Sequence, residues 1–557
     1  VRRLVPLVFG LLAACSAPTP LRDPSALVFL TEDVPAGLDY DGPAAAIATS
    51  QTGIVNLMEP LIAYAAAGKN EDGVRLPDAT RFEGRLAERW SYSPANRTWT
   101  FHLRRGVRGC TGNELTADDV VYTFARAKSV SGAAPIGWFL ASVASVAGFD
   151  NDVLTDARQR ELGDAVQAVD RYTVRIRQSA PNSLFLHALT TFGLLIFDAR
   201  ATRAAATPGD PWAHAAVNGT APPSFGAYCV ARWVKGSELV LTANPNYYRG
   251  VPAIRRIVIK RVPQSSNRFI LLRMGEAGLA EHLTPREYLK LQGVAGVKVQ
   301  GVAGNENLFV HMNWKTKPFD DVRVRRAVAA ALPTGWVVRN GYFGAAQAWH
   351  GVVPSRYPGF VCDVAAFTPD PARARALLAA AGYPGGRGLA RYADAFNLAY
   401  ISEKETVLGP IASAVRSALR SVGMPVELDP IPSAQYGDRQ LVKKDLAFAL
   451  NDQEKPVVFD AGYAVQLFFA SPGAGGVNNM VNYSNARVDA LWTRARNTPD
   501  PAVRAALIGD IQGQLIADVA WAPVVEYRTR WAADARLQGL RWYPDNAVRF
   551  ADLSFAP

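Results

Sequence analysis

Cysteine, methionine and histidine are scarce in this chain: 4, 5 and 6 of them among 557 residues. No two cysteines stand in C-x-x-C spacing, which argues against a zinc ribbon or a thioredoxin-type redox site. The histidines (His102, His187, His214, His282, His311 and His350) are far apart and show no metal-ligand spacing. G-x-S-x-G, H-E-x-x-H and P-loop motifs are all missing, so catalysis, a metal and a cofactor have no support. Gly473–Gly476 is glycine-rich but lacks dinucleotide-binding spacing and reads as a loop. Asp39-Tyr40-Asp41-Gly42 has no distal Glu to complete a calcium loop and reads as a turn. The net charge is +11, yet the basic residues are scattered and form no long run, which speaks against a nucleic-acid partner. Internal repeats are also absent.

What is present describes a globular chain. It is 49% apolar and 20% charged, and long enough for two or three domains that each bury a core. At the N-terminus, Arg2 and Arg3 precede an apolar run, Leu4–Leu12, that is too short to span a bilayer. Leu12-Ala13-Ala14-Cys15 then matches a bacterial lipobox, which implies cleavage before Cys15 and lipidation of it. Lipid chains would then anchor the chain to the membrane in place of a helix. Ser16–Pro24 reads as a proline-rich tether. The remaining cysteines, Cys110, Cys229 and Cys362, permit one bridge, and spacing does not choose the pair.

Local signals place the elements. Leu27–Thr31 is a short apolar strand, and Val55–Ile62 reads as a helix or helical turn. Two strands flank a turn at Ser93–Asn96, with Trp90, Tyr92, Trp99 and Phe101 alternating. Thr116 and Asp119 form a capping box before a helix bearing Val120, Val121 and Phe124. Ala227–Val234 and Glu238–Thr242 are strands about a Lys235-Gly236 turn. Ile254–Val262 alternates apolar and basic residues and reads as a strand leading to a hinge at Pro263. Arg268–Leu279 is read as a helix and turn, and Asp320 as the cap of a helix with Val324, Ala327, Val328 and Ala331 on its apolar face. Asp370-Pro371 opens a helix that Gly382 stops. Ile411–Val422 reads as a helix and Val426–Leu428 as a strand. Asp500-Pro501 opens an amphipathic helix with Val503, Leu507, Ile511, Leu515 and Val519. The tail, 529–557, carries short strand-like runs.

Several of these stretches resemble the peptide/nickel type of extracytoplasmic solute-binding protein, family 5, which serves ABC importers. The run Leu86–Lys128 is similar to its pattern "L-A-x-x-W, turn, T-x-T-F-x-L-R-x-G-V, L-T-A-D-D-V-V". Residues 218–263 match its strand–turn–strand segment ending in "N-P-x-Y-W-x-G-x-P". Phe309–Ala331, Asp370–Pro384, Tyr483–Leu491 and Arg268–Leu279 match in family order, with Gly278 standing where an Asp is usual. The resemblance implies an α/β, two-lobe periplasmic-binding-protein-like clamp of class II, with an extra subdomain inserted in lobe 1. Lobe 1 would hold 25–44, 165–262 and 529–557, its inserted subdomain 45–164, and lobe 2 263–528.

By the same resemblance the protein would be a monomer on the outer face of the cell membrane. It would capture peptides or peptide-like solutes and deliver them to an ABC permease. Asp452 falls on a family Asp that pairs with a peptide's α-ammonium, a strong charge-assisted contact when desolvated. Ala449 stands where that family often has a pocket Trp, and Gln453 replaces an aromatic. Leu450 and Asn451 are expected to offer backbone groups to an extended peptide. Ala46–Gln51 aligns with a ligand-contacting segment, in which Thr49, Ser50 and Gln51 could donate. Lys404 lies near an Arg that binds the ligand carboxylate in some dipeptide binders, and Trp349, His350 and Tyr357 lie on a loop facing the cleft. Alternatives are the same fold with a metal chelate, haem or oligosaccharide as ligand, or a sensor or envelope regulator.

Overall fold

The structure, a computed structural model, describes residues 23–42, 48–130, 135–149, 163–191, 194–452 and 454–556. Cys15, residues 16–22 of the tether, Ala46 and Gln453 lie outside them.

Strands β1 (Ala26–Thr31), β2 (Ile62–Lys69), β3 (Arg75–Gly84), β4 (Ala87–Ser93) and β5 (Thr98–Leu103) precede the helix Ala117–Ala127. After it come β6 (Val166–Asp170), β7 (Thr173–Arg177), β8 (Tyr228–Val234), β9 (Glu238–Ala243) and β10 (Arg256–Arg261). Then follow β11 (Leu279–Glu281), β12 (Val297–Met312), β13 (Ala346–Ala348), β14 (Asn397–Ile401), β15 (Glu427–Ile431) and β16 (Phe448–Asn451). The chain closes with β17 (Ala522–Asp534), β18 (Leu537–Gln538) and β19 (Ser554–Phe555). The main sheet runs β15-β14-β16-β12-β17-β11-β1-β10-β9-β8, with β13 on β17. β2–β3 and β4-β5-β7-β6 form two smaller antiparallel sheets.

Local chemistry explains most of the elements. The Asp119 carboxylate accepts from the Thr116 amide at 2.6 Å, the reciprocal half of a capping box. Asp370 and Asp500 cap helices that begin at Pro371 and Pro501. Gly382 takes φ +94 just past the first of these, a conformation that costs glycine little. Four readings shift. The helix expected at Val55–Ile62 is Ala48–Leu57, because Ile62 pairs with Gly84 in β2. The cap after Phe319 is Asp321, not Asp320. The helix at Arg268 runs Ser265–Arg273, one turn earlier than its apolar residues suggest. Val503 is 48% exposed, so the buried stripe of Pro501–Asp518 starts at Leu507.

The 16-residue β12 and the 13-residue β17 pair along nearly their whole length, and they link the two ends of the sheet. The segment after Pro263 stays with the β1 end: Leu272, Leu283, Tyr288 and Leu291 share an apolar cluster with Leu30, Val262 and Ala532. β12 itself lies between β16 and β17 in the sheet. Cys110 is bonded to Cys229, fastening the loop after β5 to β8, while Cys362 is free and exposed.

Candidate functional site

In an α/β sheet, residues just past the carboxyl ends of parallel strands converge on a crevice that no strand fills. The described residues form two such ends. β14 lies parallel to β15 and to β16. The residue after β16 is Asp452, and the turn after β14 carries Lys404 into the helix Glu405–Ser421. Lys404 Nζ donates to Asp452 Oδ2 at 2.8 Å. The Asp452 side chain is 10% exposed and that of Lys404 40% exposed. On the other side, β1 lies parallel to β10 and β11. Glu32 follows β1, and His282 follows Glu281 at the end of β11.

A second layer holds the Asp452 segment in place. β12 loses regular pairing between Ala303 and Asn307, an irregularity that re-aims side chains. Asn305 Nδ2 donates to the Pro456 carbonyl at 2.8 Å and to that of Pro544 at 2.6 Å. Glu306 accepts from Lys455 Nζ at 2.7 Å and from Asn546 Nδ2 at 3.0 Å. The Tyr357 hydroxyl also donates to Pro456 O, and Tyr527, stacked on Tyr342, approaches the Asp452 carbonyl at 3.5 Å.

The charges of the two ends sense one another. Burial pushes the Glu32 carboxyl up, but His282, Lys404, Arg268 and Lys455 together bring it below its ordinary value. Burial lowers the Lys455 ammonium, and Glu306, Asp452 and Glu32 more than restore it. Near them, burial raises Glu454 to about 7 against a hydrogen bond from Asn478.

The structure thus brings Asp452 and Lys404 into direct contact and distributes the other sequence-derived candidates elsewhere. Ala449, Leu450 and Asn451 are buried in β16, which has β12 on one side and β14, at Ala449, on the other. The Leu450 carbonyl already accepts from the Tyr436 hydroxyl at 2.8 Å. Thr49, Ser50 and Gln51 lie in the first turn of Ala48–Leu57; Ser50 and Gln51 are buried, and Ser50 Oγ has no hydrogen-bond partner among the described residues. Trp349 is 1% exposed, donates to the Val353 carbonyl at 3.0 Å and packs near Trp521, so it is core. Tyr357 is likewise buried, behind Pro456. Sequence reasoning missed Glu32, His282, Lys455 and Glu306. Glu32 had a signal, as the first charged residue after the apolar run Leu27–Thr31. Glu306 had none, because it sits inside a long strand.

A model described as bacterial extracellular solute-binding proteins, family 5 Middle, matches residues 81–475. The chain belongs to this family. The probable D,D-dipeptide-binding periplasmic protein DdpA of Escherichia coli (strain K12) is 24% identical over 466 residues, covering 84% of this chain and 83% of that protein. The periplasmic binding protein DppA from Helicobacter pylori, solved in complex with the peptide STSA, superposes with a TM-score of 0.77 at 20% identity, covering 96% and 98% of the two chains. NikA from Brucella suis, solved with Fe(III)-EDTA, gives 0.75 at 19% identity over 95% and 100%. The family 5 solute-binding protein described here therefore has the periplasmic-binding-protein fold. Among the described residues, no helix is long and apolar enough to cross a membrane.

Proposed function

We propose that this family 5 solute-binding protein captures short peptides or peptide-like solutes between two lobes and passes them to an ABC permease, with no reaction and no cofactor. The observation that carries the reading is Asp452: a carboxylate at the carboxyl end of a parallel strand, nearly desolvated, whose cationic partner Lys404 is a flexible side chain. An α-ammonium can take the place of that ammonium, and the released Lys404 can meet the ligand's carboxylate. The names of relatives such as the D,D-dipeptide-binding protein support the ligand class.

The lobe division follows the same proposal. Lobe 1 comprises 25–44, 165–262 and 529–557, with 45–164 inserted; lobe 2 comprises 263–528. The packing of Ser265–Arg273 and Pro285–Leu291 beside β1 and β17 argues for extending lobe 1 to about 302. Closure shifts a population toward the state with more ligand contacts. A lipid on Cys15 would hold this monomer outside the membrane. A second reading, an anionic solute such as a metal chelate, is favoured by the presence of both Lys404 and Lys455 at the site, and the Brucella neighbour was solved with such a ligand.

Native mass spectrometry of gently purified protein lacking 1–15, beside Asp452→Ala, tests this. Short peptides that co-purify with the wild type and are lost in the variant would support the reading. A non-peptide mass that survives the substitution would favour the second one.

A further inference from the structure

One edge of β17 is left uncovered between its pairing with β13, which ends at Tyr527, and its pairing with β11, which begins at Trp531. Residues 528–530 lie in that gap, where the β1 end of the sheet parts from the Asp452 end. The two arginines there differ. Arg528 donates to Asp72 Oδ2 at 2.6 Å and to the Gly301 carbonyl at 3.0 Å, and it pairs with Glu71 at 2.8 Å. Arg530, half-buried, has no carboxylate partner among the described residues, and its Nε is buried without a hydrogen bond. Burial pulls its guanidinium below the ordinary value, Tyr288 and Tyr342 oppose this, and Arg528 adds to it.

This unmatched cation is held in place. It sits 4.4 Å over the Tyr288 ring, and the Tyr288 hydroxyl donates to the Arg530 carbonyl at 2.6 Å. A charge fixed in advance loses less entropy when a partner arrives. The stacked Tyr342 and Tyr527 connect it to Asp452. The Tyr527 hydroxyl approaches the Asp452 carbonyl at 3.5 Å, and the Tyr342 hydroxyl, raised by burial and by Asp452, is lowered by Arg530. Asp452 follows Asn451, which faces Phe309 on β12, and the adjacent Leu308 faces Val525 on β17. Arg530 lies about 17 Å further along β17, at about 3.3 Å per residue. An extended dipeptide spans about 7 Å and a tetrapeptide about 14 Å, so the longer solute, met by a long arginine side chain, covers the distance and the dipeptide does not.

We propose that Arg530, braced by Tyr288, is an anion subsite of the crevice and takes a carboxylate of the solute whose α-ammonium sits at Asp452. This rests on the peptide reading above and narrows it: the preferred solutes are longer than a dipeptide and bring a terminal or side-chain carboxylate to the hinge strand. A guanidinium offers parallel donors that match a carboxylate's two oxygens. The bound carboxylate then offsets the charge that the fold leaves unmatched.

Isothermal titration of the protein lacking 1–15 with two pairs of peptides tests this: tetra-alanine against its C-terminal amide, and Ala-Glu-Ala amide against Ala-Gln-Ala amide. In at least one pair the carboxylate peptide should bind the wild type about tenfold tighter than its neutral counterpart, and that pair names the source of the carboxylate. Arg530→Gln should erase the preference and leave neutral-peptide affinity unchanged. Without peptide it should melt with the wild type, since no buried carboxylate loses its partner. No preference in either pair, or one that survives Arg530→Gln, overturns the subsite alone. A variant that also loses neutral-peptide affinity, or melts well below the wild type, makes Arg530 a structural residue and overturns it too. A folded wild type that binds none of the four overturns the peptide reading and the subsite together.

Discussion

Lys404 and Asp452 are 48 residues apart and form a 2.8 Å ion pair, because β14 and β16 lie side by side with parallel carboxyl ends. A residue suited to a ligand's carboxylate and one suited to its ammonium neutralise each other when no ligand is between them. Lys404→Met should therefore act unequally on two probes. A C-terminally amidated dipeptide should bind as well as or better than in the wild type, since its ammonium no longer competes with Lys404. The free dipeptide should lose about tenfold or more, an amount typical of a lost partly buried charge contact. Equal losses for both in titration calorimetry would make Lys404 a structural cation only.

Arg126 is fully buried and donates to Asp39 at 2.7 and 2.8 Å and to Asp41 at 2.5 Å. His214 Nδ1 lies 2.6 Å from Asp39 as well. The Asp39–Asp41 turn thus serves to hold an arginine. Arg126→Met should cost about 3–5 kcal/mol in urea unfolding, because it strands two buried carboxylates. A loss under about 1 kcal/mol would show that water reaches the cluster.

Glu454 should leave a mark on stability against pH. Burial raises its carboxyl to about 7 from an ordinary 4.5. The folded state then holds a proton that the unfolded chain has released. This contribution is complete below about 4.5 and is lost as pH rises through about 7. Glu454→Gln should flatten the decline in melting temperature between pH 5 and 8 measured by calorimetry. An unchanged slope would place the titration in other groups, such as Asp41, which burial raises to about 6.

The Cys110–Cys229 bridge closes a span of 119 residues. Cys110→Ser with Cys229→Ser should lower stability by about 3–5 kcal/mol. Cys362→Ser should leave the melting temperature within error. In the folded protein lacking 1–15, a thiol reagent should label Cys362 without denaturant, and labelling of Cys110 or Cys229 under those conditions would contradict the pairing.

The sequence by itself determined what depends on neighbours along the chain. Asp370-Pro371 and Asp500-Pro501 start helices because an Asp side chain and a fixed proline φ satisfy the first turn locally. Tyr228–Val234 and Glu238–Ala243 pair about Lys235-Gly236 because the turn sets their register. The match of these signals to one family also conveyed the fold. The tertiary structure alone decided which of three cysteines pair, that Trp349 is core, and that Asp452 meets Lys404 while Glu32 meets His282. Those contacts depend on sheet order, which sets β14 beside β16 and β1 beside β11 although long segments intervene. No period or cap within a strand encodes which strand end lies next to it.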